Sequence, residues 1–384
     1  MSILFSMETP FDAVKLDRLM EEAGLSLVLA SSRHNVRYLS GGYYYHFHAN
    51  SARMGRSQYL PFVGIPRKRN ADSFYVARAE ERGQIESEGL WIPNIVEAVR
   101  GTVSAAEGAA KAIGGLGLTS GKIGVELPFL PADAYLALSG AFPQAELVDA
   151  TPIFDELRAV KSETELAILR NVYARTAEAI RAAFKTSRPG DTTRRIAERV
   201  ELEMAKRGVS FLFAFVCAGP GFLRAPSSAT WENGQVLHID AGGTQGDYIA
   251  DICRMGCIGK PTALANDVYT ACIEVQSHVR SMIRAGVSCR DIVEEGQKAS
   301  LRYGFSSYAR FVVHSIGMVP YEQPAFTSDN SRALETGMVL SVETDFLHPG
   351  VGHVKIEDAV AVTDTGCEGL GDLGREWQLI PPRP

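Results

Sequence analysis

The sequence has no paired cysteines. Its six cysteines are scattered through 384 residues without a Cys-x-x-Cys pair. This excludes a thiolate metal knuckle and a dense disulfide framework, and the cysteines read as reduced thiols packed as small apolar groups. No Lys/Arg cluster and no interleaving of basic with aromatic residues occurs, and the net charge is -6. Nucleic acid is therefore not an expected partner. A long apolar run is missing, and Met1 to Glu8 has no basic region. These absences argue against a transmembrane helix and a signal peptide, leaving a soluble, cytoplasmic protein as the expectation, with no membrane partner. Repeats, low-complexity tracts and heptads are absent too. The remaining composition, 46% hydrophobic and 22% charged, is that of a globular protein, and its length exceeds what one core usually supports.

Two domains are expected, 1–151 and 152–384. In the first, Phe11 to Ala23 reads as a helix stopped at Gly24, and Leu25 to Ala30 as a short strand. Ser73 to Ala77 and Ile123 to Leu127 read as further strands, and Val103 to Ile113 as an Ala-rich helix. Gly41 to His48 is aromatic without a period, a loop or strand edge. Past Asp149-Ala150-Thr151-Pro152, Ser162 and Glu165 form a capping box that starts a helix to about Thr186. Asp191 to Arg207, Ala263 to Ala285 and Cys289 to Tyr303 are the other expected helices. Val339 to Phe346 and Val354 to Val362 are expected strands.

The chemistry lies in the acidic residues. Asp240 ends the apolar run Val236 to Ile239, a Gly-rich turn follows, and a second apolar run carries Asp251. A strand, a turn and a returning strand can set both on one wall of a cleft. Glu343 and Glu357 repeat the arrangement around Pro349-Gly350 and Gly352. Strand alternation puts Ser341 with Glu343 on one face, and Lys355 with Glu357 on one face. His314 follows Phe311-Val312-Val313 and precedes Gly317. Singly, each residue has a plain structural reading: a turn cap, a core histidine, an ion-pair partner for Arg254. Together, four carboxylates and one imidazole in apolar segments are hard to bury without a cation. The donor set suits Mn, Fe, Co or Zn, with Mn first. Two divalent ions about 3.5–4 Å apart would share a hydroxide and polarise a carbonyl.

This pattern resembles the pita-bread metallopeptidase family, which takes in methionine aminopeptidase, aminopeptidase P, prolidase and creatinase. Asp240, Gly242, Tyr248, Asp251 and Arg254 match its D-x-G...Y-x-x-D-x-x-R stretch. His314, Gly317, Glu322 and Pro324 match H-x-x-G-x-x-x-H-E-x-P, and Glu343 and Ile356-Glu357-Asp358 match its late acidic positions. Leu157 to Glu165 resembles the approach to its catalytic domain. The resemblance implies a creatinase-like N-terminal α/β domain followed by a pita-bread α+β catalytic domain. It also implies a metal centre of Asp240, Asp251, His314, Glu343 and Glu357, with Asp251 and Glu357 bridging, Glu343 catalytic, and an Xaa-Pro dipeptidase- or aminopeptidase-like hydrolase of a C–N bond. Three positions depart from the pattern. Tyr321 stands where the family has a second histidine, Ala218 to Arg224 lacks the histidine expected before the first Asp, and Thr344 replaces a proline. The metal side is kept and the substrate side rewritten. A phenol is a poor proton shuttle at neutral pH, so departure of an ordinary peptide amine should slow. The alternative is a non-peptidase on the same scaffold, an ectoine-hydrolase-like enzyme or a dimethylsulfoniopropionate-lyase-like one. A binding module with lost catalysis would show eroded ligands, and none of the five is eroded.

Tyr321, assigned both catalysis and substrate contact, and Arg224 are the expected substrate-side residues of the catalytic domain. His46, His48, Arg53 and Arg56 are those of the N-terminal domain, either as a surface loop or as carboxylate binders reaching a partner's site in a homodimer. The expected ligand is a small molecule or short peptide.

Overall fold

A computed structural model of the chain describes residues 9–48 and 60–383. The chain divides into two compact units, 1–157 and 158–384. The sequence expectation set the division six residues earlier, at 151/152. The difference lies in the helix Thr151–Arg158, whose Ile153, Phe154 and Leu157 join the first unit's core.

The first unit is a mixed sheet between two layers of helices. Its strands are β1 (Leu25–Ala30), β2 (Phe62–Pro66), β3 (Phe74–Arg78), β4 (Asn94–Ala98), β5 (Ser120–Val125) and β6 (Gln144–Asp149). Its helices are α1 (Ala13–Glu22), α2 (Arg33–Ser40), α3 (Arg82–Glu88), α4 (Thr102–Gly115), α5 (Ala132–Ala141) and α6 (Thr151–Arg158). The strand order is β4-β3-β2-β1-β5-β6, with β1, β5 and β6 running parallel. A strand covered on both faces reads as a continuous apolar run, and Leu25-Ser-Leu-Val-Leu-Ala30 is nearly that. Val28 and Ala30 pack with Leu16 and Met20 of α1 and Val36 and Leu39 of α2. Leu27 and Leu29 pack on the other face with Ala105, Ala109 and Ile113 of α4 and Leu138 of α5. α1 is shorter than the expected Phe11 to Ala23 because Asp12 caps it, accepting from the Lys15 amide.

The second unit is an antiparallel curved sheet backed by helices. It contains α7 (Glu163–Thr186), α8 (Thr193–Lys206), β7 (Ser210–Ala218), β8 (Val236–Gln245), β9 (Tyr248–Ile258), α9 (Ala263–Arg280), α10 (Cys289–Ser300), β10 (Ala309–Ser315), β11 (Val339–His348), β12 (Gly352–Val362), β13 (Cys367–Leu370) and β14 (Gln378–Ile380). Strands run β10-β11-β12-β9-β8-β7, with β13 on β12 and β14 on β9. The Ser162 capping box forms as the sequence requires. On β11 and β12, Leu340, Val342 and Val360 join Val279 of α9 and Ile292 of α10 in one core cluster. The alternate positions Ser341, Glu343, Lys355 and Glu357 point to the opposite face. α9 stops five residues short of the expected Ala285, at Arg280.

Candidate functional site

Two hairpins position the acidic residues. β8 and β9 pair Gln245 with Tyr248 across Gly246 and Asp247, whose φ values are 59° and 68°. Two central residues in the left-handed region make the type I′ turn that suits the twist of a two-residue hairpin. In that register Asp240 lies opposite Cys253 and Gly242 opposite Asp251, so the two aspartates share a face. β11 and β12 set Glu343 directly opposite Glu357, Glu357 pairs with Cys253 of β9, and His314 of β10 pairs with Ser341. His314, Glu343, Glu357, Asp251 and Asp240 therefore sit on five successive strands of one sheet, in that spatial order.

Like charges directly opposite across strands repel, so this row needs counter-charge. His314 Nε2 lies 3.3 Å from Glu343 Oε1 and 3.7 Å from Glu357 Oε1. Ser341 Oγ donates to Glu357 Oε1 at 2.9 Å. Lys355 Nζ lies 2.8 Å from Asp240 Oδ2, 2.6 Å from Glu343 Oε2 and 2.7 Å from Glu357 Oε2. Arg224 also pairs with Asp240. Burial disfavours the Asp240 anion, but Lys355 and Arg224 outweigh it and hold the carboxyl below its ordinary value. Asp251 is pushed well up, by burial first and then by the Glu357 and Asp240 charges. Glu357 is raised by burial and the Glu343 charge. Burial works against a charged His314, yet hydrogen bonds to Glu343 and Glu357 carry it up to about 10.

The strain is greatest at Asp251, whose Oδ1 is shut off from solvent and has no hydrogen-bond partner among the described residues. Asp251, His314 and Glu357 each offer a donor atom, all within 4.8 Å of one another. Two carboxylate oxygens and one imidazole nitrogen fit a divalent ion of the Mn, Fe, Co or Zn kind. Such an ion would satisfy Oδ1 and release the His314 proton, because a ligating imidazole is neutral.

The other expected residues are distributed unevenly. Tyr321 is 74% exposed, and its ring centroid is 4.7 Å from that of His314, at the rim of the row. Arg224 stacks over Phe215, 4.5 Å from ring centroid to guanidinium, while holding Asp240. His46 is an exposed residue of the first unit. The substrate role expected of His48 is corrected: it is 3% exposed inside the first unit, with Nε2 3.3 Å from Glu81. A histidine flanked by Tyr44 and Tyr45 rings packs as core. Arg53 and Arg56 lie outside the described residues.

Sequence reasoning placed Lys355 on the face of Glu357 but gave it no role. Two motif pairings were also missed. Glu322 is fully enclosed by Lys161 Nζ at 2.7 Å, Arg158 Nε at 3.3 Å and the Met318 amide at 2.9 Å. This explains Leu157 to Lys161, whose two cations answer one carboxylate. Arg254 pairs with Asp358 and not with Asp251. Being three residues from Asp251 on a strand, it points to the other face.

Comparison with known proteins agrees with this geometry. The profile of Metallopeptidase family M24 matches residues 167–364, and that of the Creatinase/Prolidase N-terminal domain matches residues 14–160. The chain is 24% identical over 373 residues to the uncharacterized peptidase YqhT of Bacillus subtilis (strain 168), covering 95% of this chain and 99% of that one. It is 25% identical over 230 residues to the Xaa-Pro dipeptidase of Pyrococcus horikoshii, covering 58% of this chain and 66% of the relative. Its fold matches that of the Xaa-Pro dipeptidase from Bacillus anthracis with a TM-score of 0.82 at 25% identity, over 96% of this chain and 100% of that one. Because the M24 profile spans more than half of the sequence and carries the whole acidic row, the chain belongs to metallopeptidase family M24 and is a metallohydrolase of the pita-bread fold.

Proposed function

We propose that the protein hydrolyses an amide C–N bond in a short peptide, in the manner of an Xaa-Pro dipeptidase or aminopeptidase. The row His314, Glu343, Glu357, Asp251 and Asp240 on five neighbouring strands carries this reading. The Xaa-Pro enzymes among the relatives support the substrate class. When bound, a divalent ion, with Mn first, would supply Lewis acidity toward the amide carbonyl and ionise a water near neutral pH. Asp251, His314 and Glu357 would hold it. Glu343, between His314 and Lys355, is kept ionised by them against its burial. It is the base for the attacking water and hands that proton to the departing amine. Tyr321 donates its hydroxyl to the carbonyl oxygen as negative charge develops there. A homodimer acting in the cytoplasm completes the proposal. No helix among the described residues is long and apolar enough to cross a membrane.

The test is turnover of a panel of Xaa-Pro dipeptides by protein reloaded with Mn. A kcat/KM of about 10⁴ M⁻¹s⁻¹ or above is ordinary enzyme efficiency and is the expected result. Cleavage of small N-acyl compounds with no dipeptide turnover would overturn the peptide reading in favour of the non-peptidase alternative.

A further inference from the structure

The sequence led to a centre of two divalent ions. The geometry divides the five candidate ligands into two groups. Asp251, His314 and Glu357 converge closely enough to share an ion. Asp240 and Glu343 do not join that group, and both are held by Lys355.

The Lys355 ammonium has three N–H donors. It faces three carboxylates, at 2.8 Å for Asp240, 2.6 Å for Glu343 and 2.7 Å for Glu357. Its stem comes from β12, two residues before Glu357, so strand alternation fixes it on the metal-binding face. The side chain is only 4% exposed, so the ammonium cannot swing aside into water. An ion bound to Asp240 would need to sit about 2.0–2.2 Å from a carboxylate oxygen. That is the space the ammonium fills, and Arg224 closes on the same Asp240 oxygen, Oδ2.

Charge leads to the same division. Asp240, Asp251, Glu343 and Glu357 bring four negative charges, and Lys355 and Arg224 bring two positive ones. Two negative charges remain when His314 is neutral, and one divalent ion cancels them. A second ion would leave the enclosed site with excess positive charge, which is costly away from water.

We propose that Lys355 is a built-in second cation, so that the enzyme takes one divalent ion, at Asp251, His314 and Glu357, where its fold would otherwise hold two. This rests on the metallohydrolase reading given above. Lys355 then performs two services of the missing ion. It fixes Asp240 and Glu343 in place, and it keeps the Glu343 carboxylate ionised beside the reacting atoms. As Lys355 carries its charge without a ligand exchange, the centre cannot be built up in two metal-loading steps.

Metal stoichiometry tests this without recourse to activity. The full chain is stripped with a chelator and titrated with Mn²⁺. Bound metal is counted after desalting, and the electron paramagnetic resonance spectrum is recorded. The wild type should saturate at about one equivalent, with the hyperfine pattern of isolated Mn²⁺ at every loading. Lys355→Met removes the charge at similar length and should take up about two equivalents, with spin coupling between the ions. Lys355→Arg keeps the charge and should stay at about one. Two coupled ions in the wild type would overturn the inference while leaving the hydrolase reading intact. No bound metal in the wild type would overturn both. A single equivalent in a folded Lys355→Met would show that the lysine is not what excludes the second ion. Should Lys355→Met fail to fold, the wild-type count and spectrum decide alone.

Discussion

Both units bury carboxylates, but they neutralise them by different means. In the first unit, Glu126 accepts from the Ser31 and Ser32 amides at 2.5 and 2.8 Å and from Asn35 Nδ2 at 2.6 Å. Glu81 accepts from the Tyr43 and Tyr75 hydroxyls at 3.1 and 2.9 Å and from the Arg78 amide at 2.9 Å. Each is a single anion surrounded by neutral donors, and the arrangement is complete. In the second unit four carboxylates crowd one face of a sheet, and neutral donors cannot cancel charge at that density. Lys355, Arg224 and His314 answer part of it, and Asp251 Oδ1 is left without a partner. A satisfied buried carboxylate is a structural element. A crowd of them with a residual deficit is a cation site.

The largest expected effect breaks the second arrangement. Asp251→Ala and Glu357→Ala should each abolish metal binding and lower kcat/KM by about three orders of magnitude or more, the several kcal/mol a Lewis-acidic ion contributes. Metal content and activity measured on the same preparations check this, and full activity in a metal-free variant would refute it.

Next is Glu322, an ion-paired carboxylate outside the row. Burial opposes its charge, but Lys161 and Arg158 hold it below its ordinary range. A lowered folded value means that its stabilisation is present above the unfolded carboxyl value of about 4.3. It is lost as pH falls through the folded value. Glu322→Gln should therefore cost about 3–5 kcal/mol at neutral pH, because two buried cations lose their anion. The loss should shrink toward acid. Denaturation midpoints at pH 7 and pH 4 measure both parts, and an equal loss at the two would contradict the ion-pair account.

Glu126→Ala sharpens the comparison from the first unit. It should destabilise the protein by about 2–3 kcal/mol by orphaning three buried donors, with metal content unchanged. A fall in bound Mn would show that the two kinds of carboxylate are not independent.

The smallest effect is at the rim. Tyr321→Phe removes one hydroxyl from an exposed side chain. Stability should hold within about 0.5 kcal/mol. A tenfold to hundredfold loss in kcat, about 1.4–2.7 kcal/mol, is expected on the scale of a lost oxyanion donor. Unchanged kcat would place the phenol outside the reaction.

Much of this was legible before the structure. The Leu25–Ala30 strand, the Ser162 capping box and the acidic hairpins follow from period, caps and turn chemistry, which act over a few residues. The α2 helix escaped notice because Arg33 to Ser40 carries mixed polarity, and its caps, Ser32 and Gly41, are easily read as loop residues. His48 was misread because a histidine among tyrosines looks like a ligand contact until Glu81, thirty-three positions away, is seen beside it.

The sequence by itself determined the acidic set, its order along the chain and the face each residue takes, because strand alternation converts parity of position into side. It also placed Lys355 on the face of Glu357. Only the tertiary structure decided which carboxylates meet which cations. Strands far apart in sequence become neighbours through sheet order, so Lys355 reaches Asp240 across 115 positions and Glu322 reaches Lys161 across 161. The sharing out of charge in the site depends on distances of a few ångströms, and local pattern does not encode them.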